Sequence, residues 1–470
     1  MSDPVVNDFP VETQEGMHVP ARVVADAALM EGIRRDRSLA QLLNVATLPG
    51  TWGAVVGMPD MHEGYGFPVG GVAATLLPDG AISPGGIGFD INCGVRLLAA
   101  NLQVVDVEDR LGAFVHELSR SVPTGYGRQG RLSLSATELD AVLEQGSGWV
   151  VRERGMGTLE DLAHTESGGH LRAARAGAVS SRARERGRDQ LGTLGGGNHF
   201  LEVQEVEEVV DESAARALGL RRGQLAVLIH TGSRGLGHQV CTDAVKEMDA
   251  WMLRKGVVLP DRQLAYAPFS SPEGCAYFAA MSAAANFAWA NRQVLTHRVR
   301  EVATRVLGAK AGPLRLVYDV AHNIAKVETH GGRELCVHRK GATRAFGPGH
   351  PELPVPFRDV GQPVFIPGSM GTSSWVLVGN GDPSARTFAS CCHGAGRTLS
   401  RHAAKAQVAG PQLRRTLEAR GIHVECPSSA ELAEEAPEAY KDVDRVVDVV
   451  ARAGIARKVA RLRPRGVLKG

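Results

Sequence analysis

The run Gly-Phe-Asp-Ile-Asn-Cys-Gly at residues 88–94 places a carboxylate and a thiol three residues apart on a glycine-flanked loop. Glycine at both ends favours a tight turn and close approach of the backbone to a ligand. Carboxylate and thiolate are both common metal ligands, so Asp90 and Cys93 have the character of a metal half-site. Because two side chains do not complete a coordination shell, the fold must bring further ligands to this loop from elsewhere.

Four histidines in similar settings follow further along the chain: His199, His230, His322 and His393. A single histidine of this kind is more often a satisfied core residue than a ligand. Together with Asp90 and Cys93, however, three histidines are enough for a polynuclear metal site, and one remains for chemistry. The softness of these ligands by itself favours zinc, iron or cobalt over manganese.

The candidate ligands are predicted to lie at the ends of strands. Residues 225–229 and 314–320 are short apolar runs typical of buried strands, and a histidine follows each run closely. Residues 95–100 are predicted as the strand that leaves the loop at residues 88–94. Open α/β and mixed sheets usually place their sites at such strand ends. We therefore expect an α+β fold of mixed type, with the motifs in one intertwined domain spanning residues 1–470.

The remaining pattern predicts several helices and one hairpin. Helical periodicity covers residues 107–120, 136–145 and 276–295, and a mixed helical pattern covers 159–190. Residues 72–77 and 81–83, joined by Pro78-Asp79-Gly80, predict a hairpin. A helix is expected to begin after His393, over residues 394–406, and the last 40 residues are expected to form one or two helices and then a tail.

Basic residues are concentrated in two stretches, although the formal net charge is only +2 and does not by itself indicate a nucleic-acid binder. Residues 172–188 contain six arginines, and residues 452–469 contain seven basic residues and no acidic one. These stretches are equally compatible with a solvated helix face and with a groove that follows a phosphate backbone.

The composition favours a cytoplasmic protein without a membrane partner. Residues 1–16 are polar and acidic and do not resemble a secretory leader, and no apolar run approaches the ~20 residues needed to cross a bilayer. The seven cysteines lack zinc-finger spacing. In this setting reduced thiols would be available for metals or catalysis.

His393 is a candidate nucleophile, because neutral imidazole can attack phosphorus. The Gly-Ala-Gly sequence that follows it could hold a phosphate at a helix start. The alternative is a helix-capping loop with a buried histidine. Residues 367–374 offer amides and hydroxyls suited to a phosphate or a purine edge, but they lack the lysine of a Walker loop.

The segment after the triple glycine raises a geometric question. In a regular strand Asn198 and Glu202 would share one face and His199 would lie on the other. All three side chains reach one pocket only if the strand begins irregularly. Otherwise Asn198 is a turn residue and Glu202 a solvent-facing carboxylate.

Taken together, these motifs resemble the RtcB family of GTP-dependent RNA-splicing ligases over nearly the whole chain. So many motifs in order argue strongly against chance similarity. The resemblance implies a single mixed domain with a metal site deep in a cleft. The markers are Met-Pro-Asp-Met-His-Glu-Gly (58–64), Gly-Phe-Asp-Ile-Asn-Cys-Gly (88–94), Gly-Gly-Asn-His-Phe-Leu-Glu (196–202), His-Thr-Gly-Ser-Arg-Gly-Leu-Gly-His (230–238), Asp-Val-Ala-His-Asn (319–323), His-Arg-Lys-Gly-Ala-Thr-Arg-Ala (338–345) and Cys-His-Gly-Ala-Gly-Arg (392–397).

The resemblance implies a role for each candidate residue. Cys93 would bridge two Mn²⁺ ions, and His393 would become guanylylated. The other protein ligands of the cations would be Asp90, His199, His230 and His322. The implied GTP contacts are Asn198, Glu202, Ser369, Ser374, Ala395, Gly396, Tyr440 and Lys469, with Asp60 close to the nucleotide. Arg234 and Lys340 are implied as phosphate or RNA contacts, with surface ion pairs as the alternative.

The resemblance also implies the reaction. Such enzymes join an RNA 3′-phosphate or 2′,3′-cyclic phosphate to a 5′-hydroxyl in tRNA splicing or RNA repair, through a GMP–histidine intermediate and a GMP-activated RNA 3′ end. An archease-type activator is a candidate protein partner. The alternatives from other classes are a metal-dependent phosphoesterase that acts on RNA ends without ligation, and a non-enzymatic RNA-binding protein that uses the two basic stretches.

Overall fold

The computed structural model describes residues 5–125, 127–381 and 386–470. Short 3-10 turns join many of the elements. The strands are β1 Val6–Phe9, β2 Ala21–Val24, β3 Val55–His62, β4 Val69–Leu76, β5 Ala81–Ile82, β6 Gly94–Gln103, β7 Phe200–Val209, β8 Gln224–Thr231, β9 Ala267–Pro268, β10 Arg315–Ala321, β11 Asn323–His330, β12 Arg333–Lys340, β13 Ala342–Arg344, β14 Pro363–Ile366, β15 Ser374–Gly379, β16 Ser390–Cys392, β17 His423–Glu425 and β18 Ala456–Lys469. The helices are α1 Ala27–Arg35, α2 Ser38–Val45, α3 Leu111–Ser121, α4 Ala136–Gln145, α5 Ser147–Arg154, α6 Leu159–Ala163, α7 Ser181–Gly187, α8 Glu212–Leu218, α9 Arg234–Lys255, α10 Pro272–Leu307, α11 Arg401–Gln407, α12 Gly410–Ala419, α13 Ser429–Glu434 and α14 Val443–Arg452.

Two large sheets organise the described part of the chain. The six-stranded sheet has the order β1-β2-β3-β4-β12-β11. The eight-stranded sheet has the order β10-β6-β8-β7-β18-β15-β14, with β17 alongside β18. Helices and mixed sheets together confirm the predicted α+β fold class. The extent of one domain over residues 1–470 stays a prediction, and residues 1–4, 126 and 382–385 lie outside the described part.

Strand β8 shows why the apolar runs in the sequence predicted strands. Leu225, Val227 and Ile229 join a core cluster with residues of α3 and α10, while Ala226 and Leu228 join a cluster on the other face of the sheet. A strand buried on both faces is apolar at nearly every position. The strands predicted over 225–229, 314–320 and 95–100 are confirmed as parts of β8, β10 and β6.

The register of four neighbouring antiparallel strands gathers the candidate ligands at one end of the eight-stranded sheet. Gly94, at the start of β6, is paired with Thr231 at the end of β8 and with Ala321 at the end of β10. Phe200, at the start of β7, is paired with His230. Residues 93, 199, 230 and 322 therefore lie within one residue of this common edge.

Helix α10 is the longest helix of the described chain and confirms the helical prediction over 276–295. Its 36 residues begin with Pro272 after an N-cap at Ser271, whose hydroxyl accepts a hydrogen bond from Gly274 N at 3.0 Å. Proline at the first position and a serine cap both favour a helix start, and alanine favours its interior. Most of the helix is buried, so its polar side chains bond to the loops that it contacts.

Several local predictions need correction. The turn after β4 forms, but β5 pairs with β9 rather than with β4, so the predicted hairpin over residues 72–83 is wrong. Strand β4 instead uses its edges to pair with β3 and β12. The helix predicted over 107–120 begins at Leu111 after a 3-10 turn, and only α6 and α7 are α-helical within 159–190. The helix over 136–145 is confirmed.

The predicted tail is a 14-residue strand, β18, which lies between β7 and β15. Its cations face acidic side chains of neighbouring elements and do not form a continuous free groove. These ion pairs join Arg457 to Asp211 (2.6 Å), Arg461 to Asp444 (2.9 Å), Arg463 to Glu205 (2.6 Å), Arg465 to Glu205 (3.1 Å) and Lys458 to Asp448. Within 456–469 the basic residues are therefore the paired side chains of a strand and not a solvated helix face, whereas Arg452 is exposed in the last turn of α14.

Across the described ranges, no helix is both long and apolar enough to span a bilayer.

Candidate metal centre and nucleotide cavity

Two groups of potential metal ligands share the thiol of Cys93. One group contains Cys93, His230 and His322, the other contains Asp90, Cys93 and His199, and the ligand atoms of each group lie within 4.8 Å of one another. The Sγ atom of Cys93 is 3.2 Å from Nε2 of His230 and 3.4 Å from Nε2 of His199. Nε2 of His199 lies 2.7 Å from Asp90 Oδ2, and Nε2 of His230 lies 3.2 Å from Nε2 of His322. One sulfur could therefore belong to two coordination shells.

The ionisation of these side chains suits metal binding. Burial lowers the pKa of His230 and His322 well below the usual value, so both rings are neutral and can offer a lone pair. Burial opposes ionisation of Asp90, but His199 and then Arg234 outweigh it and hold the pKa of that carboxyl well below its ordinary range. Burial, and next the Asp90 carboxylate, raises the pKa of the Cys93 thiol. A bound cation would favour the thiolate by its own charge.

The donor set fits divalent cations on chemical grounds. One carboxylate oxygen, one sulfur and three imidazole nitrogens converge on one buried region. Two ring nitrogens that both carry lone pairs and no proton cannot form a hydrogen bond with each other. Cations placed among them would supply the missing partners.

Arg292 of α10 holds the ligand loop in place. Its Nη1 donates to the carbonyls of Asn92 at 2.8 Å and Thr231 at 2.9 Å, and its Nη2 donates to Asn92 Oδ1 at 3.0 Å. Asp319 accepts from Nε of Arg292 and from Nε of Arg96, each at 2.7 Å. Buried charges are tolerated when they are paired and hydrogen-bonded in this way. One helix thus fixes the ends of three strands that carry ligands.

Asn92 has a positive φ of 50°, an uncommon conformation for a residue other than glycine. Its side-chain amide donates to Ala285 O at 2.7 Å, and Arg292 occupies its carbonyl oxygens. These bonds hold the turn that presents Asp90 and Cys93 on the same side. Such strain is typical of functional loops.

Gly232 allows the carboxylate of Asp90 to come close to the end of β8. A Cβ atom at position 232 would lie 2.5 Å from Asp90 Oδ1. The same carboxylate oxygen accepts from Ser233 N at 3.0 Å. A side chain at position 232 would therefore collide with the carboxylate of Asp90.

His393 lies beside the metal candidates and is oriented by Asp60. Its ring centroid is 4.7 Å from that of His322. Asp60 Oδ2 lies 2.7 Å from Nδ1 of His393 and accepts the backbone N–H groups of His393 (3.1 Å) and Gly394 (3.3 Å). A carboxylate at Nδ1 favours the tautomer with its proton on that nitrogen, which leaves the lone pair on Nε2.

The segment after His393 is not helical, which corrects the helix predicted over 394–406. The helix starts only at Arg401, after an N-cap at Ser400. Before it, the backbone bonds to distant segments: Thr398 N donates to Ala439 O at 2.8 Å, and Lys441 N donates to Gly396 O at 2.9 Å. The helix begins only at Arg401, and the N–H groups of His393 and Gly394 already donate to Asp60. The backbone at His393 therefore does not offer a helix N-terminus to a phosphate.

A cavity of about 830 Å³ connects the metal candidates with most of the nucleotide candidates. Four of the five ligand candidates line it together with His393, namely Asp90, Cys93, His230 and His322. Of the residues with an implied nucleotide or RNA contact, the cavity is lined by Asn198, Glu202, Lys340, Ser369, Ala395, Gly396, Tyr440 and Lys469. His199, Asp60, Ser374 and Arg234 are not among the lining residues.

The irregular strand start that the sequence required is present. Residues 196–198 form a bend and turn, and β7 begins only at Phe200. Glu202 and Asn198 therefore both face the cavity, while His199 reaches the cysteine behind it. Glu202 is buried, and burial raises its pKa to about 7 against the opposing effects of Lys469 and Gln204.

A network of charged and polar residues lines part of the cavity. Lys469 Nζ donates to Gly197 O at 2.8 Å and lies 3.6 Å from Glu435 Oε2. Tyr440 donates its hydroxyl proton to Glu435, and Arg397 Nη1 donates to Tyr440 Oη at 2.9 Å. Burial opposes ionisation of Glu435, but Lys469 and Arg397 lower its pKa to about 2. The carboxylate is therefore ionised and fixes both predicted nucleotide contacts.

Ser369 and Ser374 differ in their surroundings. Ser369 lines the cavity, and its buried hydroxyl has no hydrogen-bond partner within the described residues. The hydroxyl of Ser374 accepts from Gln204 Nε2 at 3.3 Å and from Gly368 N at 3.4 Å. Ser369 thus has a group available for a ligand, whereas Ser374 supports the residues behind the cavity wall.

The two basic candidates are held by other protein groups. Arg234 Nη1 lies 2.9 Å from Nδ1 of His199, so the guanidinium orients a ligand candidate. Lys340 Nζ donates to the carbonyls of Tyr65 (2.8 Å) and Phe67 (2.9 Å), and burial lowers its pKa to about 7. Lys340 is buried and is therefore not a surface ion pair, which was the alternative.

Sequence reasoning gave no role to Glu435, Arg397 or Arg292. Glu435 lies in an acidic segment without any motif, so nothing in the sequence separated it from solvated neighbours. Arg397 belongs to a quoted motif, but its partner could not be read from the sequence. Arg292 did leave a signal, because an arginine within the long apolar stretch of α10 must have a buried partner.

Comparison with known proteins gives consistent matches. The family described as "tRNA-splicing ligase RtcB" matches residues 41–470. The chain is 54% identical to the tRNA-splicing ligase RtcB of Archaeoglobus fulgidus over 469 residues, which covers 98% of this chain and 97% of that protein. It is 54% identical to the corresponding protein of Thermococcus kodakarensis over 97% and 95% of the two chains. It is 52% identical to the RNA-splicing ligase RtcB of Mycobacterium tuberculosis, covering 92% of this chain and all of that protein.

Proposed function

The chain belongs to the RtcB family of tRNA-splicing ligases, and on this premise we propose that it joins RNA 3′-phosphate or 2′,3′-cyclic phosphate ends to 5′-hydroxyl ends. GTP would be the cosubstrate and two Mn²⁺ ions the metal cofactors. The observation that carries the proposal is the position of His393, whose ring lies 4.7 Å from that of His322 beside a thiol shared by two ligand groups.

In the first step, His393 would attack the α-phosphorus of GTP through Nε2. A bond forms between nitrogen and phosphorus, the bond from that phosphorus to the bridging oxygen breaks, and pyrophosphate leaves. Asp60 holds the ring and keeps the Nδ1 proton in place, so the attacking nitrogen is unprotonated. As positive charge develops on the imidazole, the same carboxylate stabilises it.

In the following steps, an oxygen of the RNA 3′-phosphate would displace His393 from the GMP, and the 5′-hydroxyl would then displace GMP from the RNA phosphate. A cyclic end must first be opened to a 3′-phosphate. Cations held by Asp90, Cys93, His199, His230 and His322 would neutralise charge that develops on the phosphates.

The guanine end of GTP is proposed to lie where Glu202, Ser369, Tyr440 and Lys469 line the cavity. An ionised Glu202 would accept the N–H donors of the base, and the unpartnered hydroxyl of Ser369 could bond to a purine edge. A site built from polar groups of this kind discriminates strongly against a base that leaves them unpaired. ATP should therefore substitute poorly for GTP.

The test is to incubate the protein with Mn²⁺ and GTP labelled at the α-phosphate, and to locate covalent label by mass spectrometry. We expect one GMP on His393. The His393→Ala variant should lose the label and keep its bound metal, whereas His402→Ala, a control at an exposed histidine, should label normally. Label on the His393→Ala protein would contradict the assigned nucleophile.

The same preparation separates ligation from end processing. With RNA bearing a 2′,3′-cyclic phosphate and a second RNA bearing a 5′-hydroxyl, a ligase gives a joined product that requires GTP. A phosphoesterase of RNA ends would open the cyclic phosphate without GTP and form no joined product. That second result would replace the proposed function.

A further inference from the structure

Three aromatic rings form a row from the cavity to the protein surface, and we call Tyr65, Phe89 and His238 the aromatic row. Tyr65 and Phe89 line the cavity, with ring centroids 5.4 Å apart and planes at 67°. Phe89 stacks on His238 at 5.0 Å with planes only 29° apart. His238 is exposed, while Tyr65 and Phe89 are half-buried. The row therefore connects solvent with the interior of the cavity.

The aromatic row lies beside the metal candidates, since Tyr65, Phe89 and Asp90 all line the cavity. Phe89 immediately precedes Asp90. The backbone of Tyr65 is fixed because its carbonyl accepts from Lys340 Nζ at 2.8 Å. None of the three rings is used by the proposed transfer of GMP to His393, so their exposure to the cavity has no role in that step.

Positive charge lies next to the outer end of the aromatic row. Helix α7 packs against α9, which carries His238. Arg186 Nη1 donates to Gln239 Oε1 at 2.9 Å and lies 3.5 Å from Nδ1 of His238. Arg182, Arg186 and Arg188 are exposed on or just after α7. Through the contacts of Arg186, these cations continue the aromatic row at the protein surface; Arg188 also lies 3.6 Å from the carboxylate of Asp189.

Aromatic faces next to arginines are the combination that binds single-stranded nucleic acid. Bases stack on aromatic rings at about 1–3 kcal/mol per base, and arginines bind the phosphates. Unpaired RNA ends have unstacked bases that can use such faces. Neither a membrane nor an acidic peptide would need a row of stacked rings that leads into a catalytic cavity.

Resting on the proposed function, we propose that the aromatic row is a stacking platform for the bases of an RNA end, with the arginines of α7 contacting its phosphates. The platform would hold the terminal nucleotides while the end phosphate reaches His393. Because every base has a stacking face, the platform recognises single-stranded ends with little preference for sequence.

The experiment measures binding of a short fluorescent RNA with a 3′-phosphate by anisotropy, using the full-length protein with Mn²⁺. Each protein is tested with normal RNA and with RNA whose terminal nucleotides lack the base. The quantity compared is the ratio of the two Kd values, because general damage to the site weakens both RNAs alike. For the unaltered protein we expect the abasic RNA to bind about 5- to 100-fold more weakly.

In Phe89→Leu and His238→Ala the ratio should fall close to one, because the face that senses the base is lost. Tyr65→Leu should lower the ratio, and the conservative Tyr65→Phe should retain it. His116→Ala, at an exposed histidine that does not line the cavity, should retain it too. An unchanged ratio in Phe89→Leu and His238→Ala would overturn the proposal, as would a ratio near one in the unaltered protein.

A second measurement tests the arginines. Arg186→Gln should weaken both RNAs equally and reduce the dependence of log Kd on log salt by about one. Arg463→Gln, at a cation paired with Glu205 at 2.6 Å, is the matched control and should leave the slope unchanged. Equal slopes for the two variants would remove α7 from the binding surface.

These outcomes are independent of ligation. If the protein lacks covalent GMP and joins no RNA, the proposed function fails, while the ratio of Kd values still reports stacking. If GMP transfer and joining occur but the ratio does not respond to the variants, only the stacking platform fails. RNAs with the abasic position at the 3′ or the 5′ end show which end occupies the platform.

Discussion

Asp60 and His393 come from segments more than 300 residues apart, and one carboxylate oxygen of Asp60 lies 2.7 Å from Nδ1 of the histidine ring. The same oxygen accepts the backbone N–H of His393 at 3.1 Å. One buried residue therefore sets both the position of the backbone and the tautomer of the ring. This assigns to Asp60 a function toward the histidine, where the resemblance implied only proximity to the nucleotide.

Replacing Asp60 with Asn should slow covalent GMP formation by about 10²–10⁴-fold, the usual range for a positioned proton-transfer group. An amide can present its N–H₂ to Nδ1 and so favour the tautomer in which Nε2 carries the proton. Single-turnover labelling with GTP measures the rate. Bound manganese, measured in parallel, should be unchanged, and a wild-type labelling rate in Asp60→Asn would refute the tautomer argument.

The shared thiol predicts an unequal effect of ligand substitutions. Cys93→Ser should reduce bound Mn²⁺ toward zero after desalting, because one sulfur would serve both ligand groups. His322→Ala should lose mainly one ion, since His322 belongs to one group only. Metal content by elemental analysis distinguishes the two patterns. Equal and mild losses in both variants would count against a bridging sulfur.

Asp319 predicts a large structural effect outside the cavity. It pairs with Arg96 and Arg292, and all three side chains are fully buried. Asp319→Ala should lower the free energy of unfolding by about 3–5 kcal/mol, because two buried guanidinium groups lose their counter-charge. Urea denaturation measures the change. The matched control is Asp8→Ala, whose 2.7 Å pair with Arg22 is solvent-exposed and should matter by less than about 1 kcal/mol.

Glu202 predicts a dependence of stability on pH. Its pKa in the folded protein is about 7, above the ordinary value of 4.5, so folding favours the protonated carboxyl. This contribution is fully present below the unfolded pKa and is lost as pH rises from about 4.5 to about 7. Glu202→Gln removes the ionising group. At pH 8 the free energy of unfolding of this variant should therefore exceed that of the unaltered protein by up to about 3 kcal/mol.

At pH 4.5 the two proteins should have nearly equal unfolding free energies in urea. The same substitution should weaken GTP binding at pH 8, because the carboxylate that would accept from guanine is gone. The free energy of unfolding of each protein is compared between pH 4.5 and pH 8. If it falls by the same amount in Glu202→Gln and in the unaltered protein, Glu202 is not the group that titrates.

The sequence indicated the ligand positions because each ligand type sits next to a strongly constrained backbone. His230 ends and His322 closely follows an apolar run typical of a buried strand, and Asp90 and Cys93 lie between glycines. What the sequence did not show is the register that aligns Gly94 with both Thr231 and Ala321. Register depends on long-range pairing, and local patterns do not encode it.

Strand β18 was missed for the opposite reason. Its sequence contains Pro464 and several cations, which argue against a strand inside a sheet. The structure accommodates them with irregular register next to Pro464 and Arg461, and with acidic partners on adjacent elements. The segment after His393 was predicted as a helix because its composition allows one, whereas its backbone bonds to residues 439–441 decide otherwise.

The placement of β18 between β7 and β15 has a consequence for biosynthesis. The two flanking strands are made earlier, and until residues 456–469 leave the ribosome each presents an unpaired edge. Such edges invite association with other chains. A message truncated upstream of this strand would thus yield a polypeptide that lacks Lys469 and has two unpaired strand edges. Degradation of incompletely translated chains should therefore matter more for this protein than for one whose sheet is completed early in synthesis.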